Sequence, residues 1–275
     1  MNNKPIGIFD SGLGGLTVLN AVHKLLPHED LVYFGDNGRA PYGTKSRETI
    51  IKYTFQDINF LLKQDVKMIV IACNTASACS LAEVMKGYNI PLVEVIGPGA
   101  KAAAKATKTG HIGVIGTPAT IGSGVYENAI KNILPDCKCS KKACPLFVPL
   151  VEEGWWDNEI AQMAAEKYLS EMREEGVDSL VLGCTHYPML ARVIQRVMGD
   201  KVTLINSAKE VALAVQEKLN QTDNFHPENT DGASGSVKFY TSDSIEKFSS
   251  LAGMFLDMPV DFVEKVNIEK EKEQP

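Results

Sequence analysis

Two cysteines in this sequence follow apolar runs, a position that presents a thiol at the end of a buried strand. Cys73 directly follows residues 68–72, and Cys184 lies just past residues 179–182. A cysteine in this position is most often a small buried hydrophobic residue. A thiolate is also a base, provided that a positive charge or a dipole lowers the pKa of the thiol. The spacing alone leaves both interpretations open.

Helical patterns follow both cysteines, over residues 76–86 and 189–197. The N-terminal end of a helix carries a partial positive charge that favours a nearby anion. We therefore expect a helix dipole to favour the thiolate of Cys73 and that of Cys184. A short hydroxyl or amide residue also follows each cysteine and is suited to hold a ligand.

A glycine-rich segment, residues 10–15 with the sequence DSGLGG, follows the first apolar run. It lacks the lysine of a phosphate-binding P-loop. One interpretation is a tight turn in which Asp10 or Ser11 caps the next helix. The other places the Asp10 carboxylate beside a cysteine and turns glycine amides toward a ligand carboxylate. Both interpretations stay open.

Glu152 and His186 are further candidates for a site. Glu152 follows the apolar run 147–151, which we expect to be a strand, and an acid just past such a run is usually solvated. His186 lies two residues after Cys184, and a Cys-x-His pair is a known zinc-binding arrangement. The complementary ligands are missing at any usual spacing, so zinc is not expected here.

Three other cysteines, Cys137, Cys139 and Cys144, are the better metal candidates by number. Lysines stand between them, and no fourth ligand follows at a spacing typical of structural zinc sites. We therefore predict no metal site and assign these cysteines no role.

The bulk composition is that of a globular protein. The 275 residues are 44% hydrophobic and 23% charged, with a net charge of −6, which disfavours a dedicated nucleic-acid binder. No apolar run reaches 18 residues, so a membrane span is not expected. The N-terminus lacks the pattern of a secretory signal, and six cysteines are too few for a disulfide scaffold of this length. We expect a cytoplasmic protein with free thiols.

Short apolar runs alternate with helical patterns along the chain, which predicts an α/β fold with mainly parallel sheets flanked by helices. The predicted strands are residues 6–9, 31–34, 68–72, 92–95, 112–115, 179–182, 202–205 and 237–240. The main predicted helices are residues 47–63, 119–133, 159–174 and 208–219. Ligands of such sheets bind at the carboxyl ends of the strands, where the candidate residues lie. Residues 220–236 are predicted to form a surface loop, and the charged residues 264–275 are predicted to fray.

An internal repeat divides this pattern into two related halves. Residues 6–9 resemble 112–115, and residues 69–75 resemble 180–186, so each half presents one cysteine at a strand end. Residues 95–99 predict a hinge, and Asn206 predicts the cap of a helix. We therefore predict one domain from residues 1–97 plus 207–275 and a second from residues 98–206.

Five segments carry a family resemblance: residues 8–16 (IFDSGLGGL), 35–43 (GDNGRAPYG), 72–76 (ACNTA), 148–152 (VPLVE) and 182–188 (LGCTHYP). Together they resemble the signatures of bacterial glutamate racemases, within the aspartate/glutamate racemase superfamily. The resemblance extends from about residue 6 to residue 265. It implies two pseudo-twofold-related domains that face each other across a glutamate-sized cleft.

The resemblance also implies the roles of individual residues. Cys73 and Cys184 are implied as the acid/base pair, Asp10 as the partner of Cys73, and Glu152 and His186 as groups on the Cys184 side. The implied glutamate-binding positions are Asp10, Ser11, Tyr42, Gly43, Asn74, Thr75, Thr185 and His186, with Thr117 and Thr120 as additions.

The implied activity is racemisation of L- and D-glutamate without a cofactor, which supplies D-glutamate for peptidoglycan synthesis. The family further implies a homodimer. Some members carry an N-terminal extension and need a peptidoglycan-precursor activator; only nine residues precede Asp10 here, so we expect no such activator.

The chemistry explains why two thiols are needed. Racemisation removes a proton from one face of Cα and returns one to the other face, which two groups on opposite faces accomplish symmetrically. Three rival interpretations remain: a racemase of aspartate or hydantoin, a binding protein such as a glutamate sensor or a gyrase-inhibiting partner, and a cysteine-rich metal or redox protein.

Overall fold

The computed structural model describes residues 2–225, 234–260 and 262–275. Within them the strands are Ile6–Asp10 (β1), Leu31–Gly35 (β2), Met68–Ile71 (β3), Leu92–Glu94 (β4), His111–Gly116 (β5), Lys138–Ala143 (β6), Ser179–Gly183 (β7), Thr203–Ile205 (β8), Val237–Thr241 (β9) and Val263–Lys265 (β10). The helices are Leu16–Leu25 (α1), Arg47–Lys63 (α2), Asn74–Gly87 (α3), Ile96–Ala106 (α4), Pro118–Gly122 (α5), Val125–Ile133 (α6), Phe147–Glu152 (α7), Glu159–Glu174 (α8), Ala191–Met198 (α9), Ser207–Thr222 (α10) and Ile245–Ala252 (α11).

The strands form two parallel sheets with matching topology. The first has the order β10-β9-β2-β1-β3-β4, and the second has the order β6-β5-β7-β8. The inner order β2-β1-β3-β4 of the first sheet therefore corresponds strand for strand to the second sheet. Both central strands, β1 and β5, are buried along their whole length, as expected for strands covered by helices on both faces. The predicted two-part α/β fold is confirmed.

The eight strands predicted from the alternating pattern are all present, and two further strands were not predicted. Strand β6 is a half-exposed edge strand with the sequence KCSKKA, and it pairs with β5. Its lysines face solvent, so it lacks the apolar run that identifies a buried strand. It contains Cys139, one of the three cysteines considered as metal ligands. Strand β10 is a three-residue edge strand.

Three local predictions were wrong. Residues 147–152 form helix α7 rather than a strand, so Glu152 ends a helix. The expected hinge at residues 95–99 is instead the start of α4, whose first amides donate to the Glu94 carboxylate. The predicted helix 119–133 is two helices, because Gly124 between them has a φ of 68°.

The C-terminal segment is docked, so the prediction that it frays was also wrong. The Gln56 side chain donates to the Glu271 carbonyl over 3.1 Å, and the Asn59 side chain donates to the Lys272 carbonyl over 3.0 Å. Lys63 also forms an ion pair with the Glu271 carboxylate at 2.8 Å. Charged residues at a chain end are therefore ordered here by contacts with helix α2. The predicted loop 220–236 begins within α10, and its residues 226–233 lie outside the described part of the chain.

The first sheet is built from residues 6–94 and 237–265, and the second from residues 111–205. Helix α10 packs against both α1 and α4, and so joins elements of the two halves. The domain division after residues 97 and 206 stays a prediction. Among the described helices, none combines the length and the apolar character needed to cross a membrane.

Candidate active site

The carboxyl ends of strands from both sheets border one narrow pocket. Residues after β1, β3, β5 and β7 reach it, as expected for a ligand site of parallel sheets. The lining residues are Ser11, Ala40, Pro41, Tyr42, Gly43, Cys73, Asn74, Thr75, Thr117, Val148, Glu152, Cys184, Thr185 and His186. The structure thus brings both strand-end cysteines to one pocket. Of the candidate residues, Asp10 and Thr120 do not line it; both are buried beside residues that do.

Cys73 is the N-cap residue of α3. The Ala76 amide donates to Cys73 Sγ over 3.4 Å, and the thiol lies 3.4 Å from Ser11 Oγ. This end of α3 favours negative charge on the sulfur, as predicted. Burial nevertheless raises the pKa of the Cys73 thiol, and the nearby Asp10 carboxylate raises it further. Both effects favour the protonated thiol of Cys73.

Asp10 lies behind the pocket and connects the two halves. It accepts hydrogen bonds from the Gly12 amide over 3.1 Å and from Thr185 Oγ1 over 3.4 Å. Burial raises the pKa of Asp10, although the positive charge of His186 opposes the shift. Helix α1 begins after Gly15 without a side-chain cap, so neither Asp10 nor Ser11 has the capping role that was considered.

Gly14 shows how closely the halves approach. A Cβ at this position would lie 2.3 Å from Thr185 Oγ1 and 2.7 Å from His186 Nδ1. These distances are shorter than any real contact of a Cβ, so only glycine allows the loop after β1 to rest on the loop after β7.

Cys184 has a different environment from Cys73. It lies in a turn before the 3₁₀ segment Tyr187–Leu190, and α9 begins only at Ala191. No helix begins at Cys184, so the prediction of a helix dipole was wrong for this cysteine. An imidazole faces its sulfur, since Cys184 Sγ lies 3.9 Å from His186 Nδ1.

His186 is buried between Cys184 and Glu152, with Nε2 3.6 Å from Glu152 Oε1. That distance is too long for a good hydrogen bond but suits an ion pair. Burial lowers the pKa of His186, but the contacts with Cys184 and Glu152 outweigh burial and raise the pKa to about 10. His186 in turn lowers the pKa of Glu152. At neutral pH the pair is therefore an imidazolium and a carboxylate.

Three threonine hydroxyls form a closed ring across the cleft. Thr75 Oγ1 of the first half lies 2.9 Å from Thr117 Oγ1 and 3.2 Å from Thr120 Oγ1, and the last two lie 3.0 Å apart. Gly43 packs against the same cluster, because a Cβ there would lie 2.3 Å from Thr117 Cβ. These contacts close one side of the pocket.

A buried charge cluster that was not predicted as a unit holds Tyr42 in place. Arg39 pairs with Asp36 at 2.6 Å and with Asp57 at 3.0 Å. The Tyr42 hydroxyl contacts the carboxylates of both Asp36 and Asp57. Burial raises the pKa of Asp57 well above its ordinary value, and the charge of Asp36 adds to this effect. Asp36 and Arg39 belong to one of the five motifs, but no sequence signal identifies Asp57 in the middle of α2.

The remaining cysteines lie apart from this pocket. All six cysteines are free thiols. Across residues 2–225, 234–260 and 262–275, no three His, Cys, Asp or Glu side chains are grouped closely enough to hold a metal ion. Cys137, Cys139 and Cys144 thus keep no assigned role.

Known proteins resemble this chain over nearly its whole length. A glutamate racemase of Geobacter metallireducens is 50% identical over 270 residues, which cover 98% of this chain and 99% of the relative. The solved glutamate racemase RacE1 of Bacillus anthracis superposes with a TM-score of 0.91 at 37% identity, covering 97% of this chain and 98% of that one. The glutamate racemase of Francisella tularensis, solved in complex with D-glutamate, superposes with a TM-score of 0.90 at 37% identity. The match covers 98% of this chain and 99% of that one.

The pattern that defines the Asp/Glu/Hydantoin racemases matches residues 15–215. This range includes both cysteines of the pocket and the central strand β5 of the second sheet, and it begins just after β1. Together with the full-length similarity to curated relatives, it establishes that the chain belongs to the Asp/Glu/Hydantoin racemase family.

Proposed function

We propose that this chain is a cofactor-independent glutamate racemase in which Cys73 and Cys184 exchange the α-proton of the substrate. One observation carries the proposal: two thiols from the corresponding strand ends of two sheets line one closed pocket. The substrate assignment is supported by the names of the relatives and by the D-glutamate complex of the Francisella tularensis enzyme.

The proton balance requires one thiolate and one thiol. The thiolate removes the proton from one face of Cα, and the electron pair remains on Cα and its carboxylate. The opposite thiol then delivers its proton to the other face and becomes a thiolate. Each turnover therefore exchanges the protonation states of the two cysteines, and the reverse reaction uses them in the opposite order.

The two sulfurs have different surroundings. Burial and the nearby Asp10 carboxylate favour the protonated thiol of Cys73, whereas Cys184 Sγ lies 3.9 Å from His186 Nδ1. Asp10 acts on the proton of Cys73, and Glu152 acts through His186.

Glutamate needs hydrogen-bond donors around its carboxylates and around the charge that develops at Cα. Ser11, Asn74, Thr75, Thr117 and Thr185 line the pocket with suitable side chains.

Tyr42 and Gly43 also line the pocket, but the Tyr42 hydroxyl is bonded to Asp36 and Asp57. Their contribution to glutamate binding is therefore through main-chain groups. Thr120 acts indirectly, by holding the hydroxyls of Thr75 and Thr117.

The cellular role follows from the same proposal. D-glutamate is the product expected to supply peptidoglycan synthesis, in the cytoplasm, and the active species is expected to be a homodimer. Sedimentation of the purified protein tests the dimer directly.

The test of the activity is racemisation followed by circular dichroism, with L-glutamate, D-glutamate and both enantiomers of aspartate. The protein is assayed with a chelator and without added cofactor or activator. We expect both glutamate enantiomers to racemise and aspartate to remain unchanged. Cys79→Ser is a matched control, because Cys79 is a buried thiol of α3 outside the pocket, and it should retain activity. Racemisation of aspartate alone, or of neither amino acid, would reject glutamate as the substrate.

A further inference from the structure

Tyr126, which the sequence did not single out, reaches across the cleft to a residue next to a catalytic cysteine. It lies on α6 in the second half and is buried. Its hydroxyl donates a hydrogen bond of 2.6 Å to Oδ1 of Asn74, which is the first residue of α3 and follows Cys73. Asn74 is 3% exposed and lines the pocket.

The other end of the Asn74 amide has no protein partner. Asn74 Nδ2 is buried and forms no hydrogen bond with any described residue. An unpaired buried amide group is unfavourable, and a native site sustains it when a ligand supplies the missing acceptor. Because Oδ1 is held by Tyr126, the planar amide presents both Nδ2 hydrogens on its remaining side.

Tyr126 can act only as the donor in this pair. Burial raises the pKa of the Tyr126 phenol, and the nearby Glu94 and Cys184 raise it further, so the hydroxyl keeps its proton. The ring is also held in place. A Cβ on Gly99 would lie 3.2 Å from the Tyr126 hydroxyl, and one on Gly183 would lie 3.3 Å from the Tyr126 ring. The phenol thus fits between two glycines, one of which precedes Cys184.

We propose that Tyr126 is a positioning residue that orients the Asn74 amide so that Nδ2 donates to a carboxylate oxygen of the substrate. This inference rests on the proposed function, since it assumes an amino-acid carboxylate in the pocket. Tyr126 and Asn74 belong to different halves of the chain. The Asn74 donor is therefore oriented by a contact between the two halves.

The variant Tyr126→Phe removes only the hydroxyl. We expect it to raise the KM for glutamate about 10-fold, as for loss of one well-placed hydrogen bond to a charged group, and to change kcat less than about threefold. Tyr88→Phe is the matched control, because the Tyr88 hydroxyl donates to Asn59 Oδ1 over 2.9 Å outside the pocket. It should leave both KM and kcat unchanged.

A double-variant cycle separates positioning from a general structural effect. Tyr126→Phe should add nothing to the KM of Asn74→Ala, because the hydroxyl acts through the amide. An unchanged KM in Tyr126→Phe, or a double variant whose effects multiply, would overturn the proposal.

A readout that does not depend on turnover keeps this test distinct from that of the proposed function. The side-chain ¹⁵N–¹H₂ resonances of Asn74 should shift in Tyr126→Phe and not in Tyr88→Phe. Absence of glutamate racemisation in the wild type would reject the proposed function. Unshifted Asn74 resonances would reject the positioning role whatever the activity.

Discussion

His186 lies between a cysteine and a carboxylate, with Nδ1 3.9 Å from Cys184 Sγ and Nε2 3.6 Å from Glu152 Oε1. Each nitrogen of the imidazole thus faces an anionic or potentially anionic group. On the Cys73 side of the pocket, the neighbouring charged group is instead the buried carboxyl of Asp10. The two halves share a strand order but provide opposite charges to their thiols. The two thiols therefore have different electrostatic environments.

The charge of His186 makes a pH-dependent contribution to stability. Its pKa in the folded chain, about 10, lies above the ordinary value of 6.5. The imidazolium therefore stabilises the fold fully below about pH 6.5, and this contribution is lost as the pH rises through about 10. The free energy of unfolding measured in urea should be higher for the wild type than for His186→Gln. This difference should be larger at pH 6 than at pH 10. In Glu152→Gln, the stabilisation by His186 should be lost at a lower pH, because His186 loses a partner that raises its pKa. A difference that is constant from pH 6 to pH 10 would contradict the ion pair.

Thr120→Val should weaken the ring of threonine hydroxyls without touching the pocket lining. Thr75 and Thr117 then lose a buried partner, so we expect a loss of about 1–3 kcal/mol in the free energy of unfolding and a higher KM for glutamate. Thr54→Val is the control, since the Thr54 hydroxyl donates to the Ile50 carbonyl within its own helix and should leave the KM unchanged. Kinetic constants of Thr120→Val equal to those of the wild type would show that the ring does not shape the site.

Gly43→Ala should separate the two sides of the pocket. The added Cβ would lie 2.3 Å from Thr117 Cβ and 2.5 Å from Thr117 Cγ2. The Thr117 Cβ cannot turn away, because the backbone fixes its position. Overpacking of this kind costs about 1–3 kcal/mol, and we expect a large loss of racemisation. Gly122→Ala provides the comparison, because a Cβ there has no neighbour within 4 Å. It should be neutral or slightly stabilising in denaturation, and equal effects of the two variants would refute the close contact.

Much of the fold could be predicted because buried parallel strands have unmistakable apolar runs. Helix α2 was predicted over its full length, Arg47–Lys63, because its apolar residues follow the helical period and Ser46 caps its start. The run at residues 147–151 was misassigned because a short apolar run of five residues fits a strand and a helix equally well. Strand β6 was missed because an edge strand with exposed lysines lacks an apolar pattern.

The pocket lining was also largely predictable, because strand ends and short motifs identify residues that belong to loops. Tyr126 and Asp57 could not be found in this way. Both lie within helices, and each reaches the site only through a tertiary hydrogen bond, to Asn74 and to Tyr42 respectively. Their partners are distant in sequence, so no local pattern marks them.

The central claim is that two thiols handle the α-proton on opposite faces, and incorporation of solvent deuterium at Cα tests it most directly. D- and L-glutamate are incubated separately in D₂O with the wild type, Cys73→Ser and Cys184→Ser. The wild type should racemise both enantiomers with deuterium incorporated, and each variant should lose racemisation by about 10²-fold or more. Any exchange that remains in a variant should be confined to one enantiomer, and to the opposite enantiomer in the other variant. Racemisation by either variant at the rate of the wild type would contradict the two-thiol mechanism.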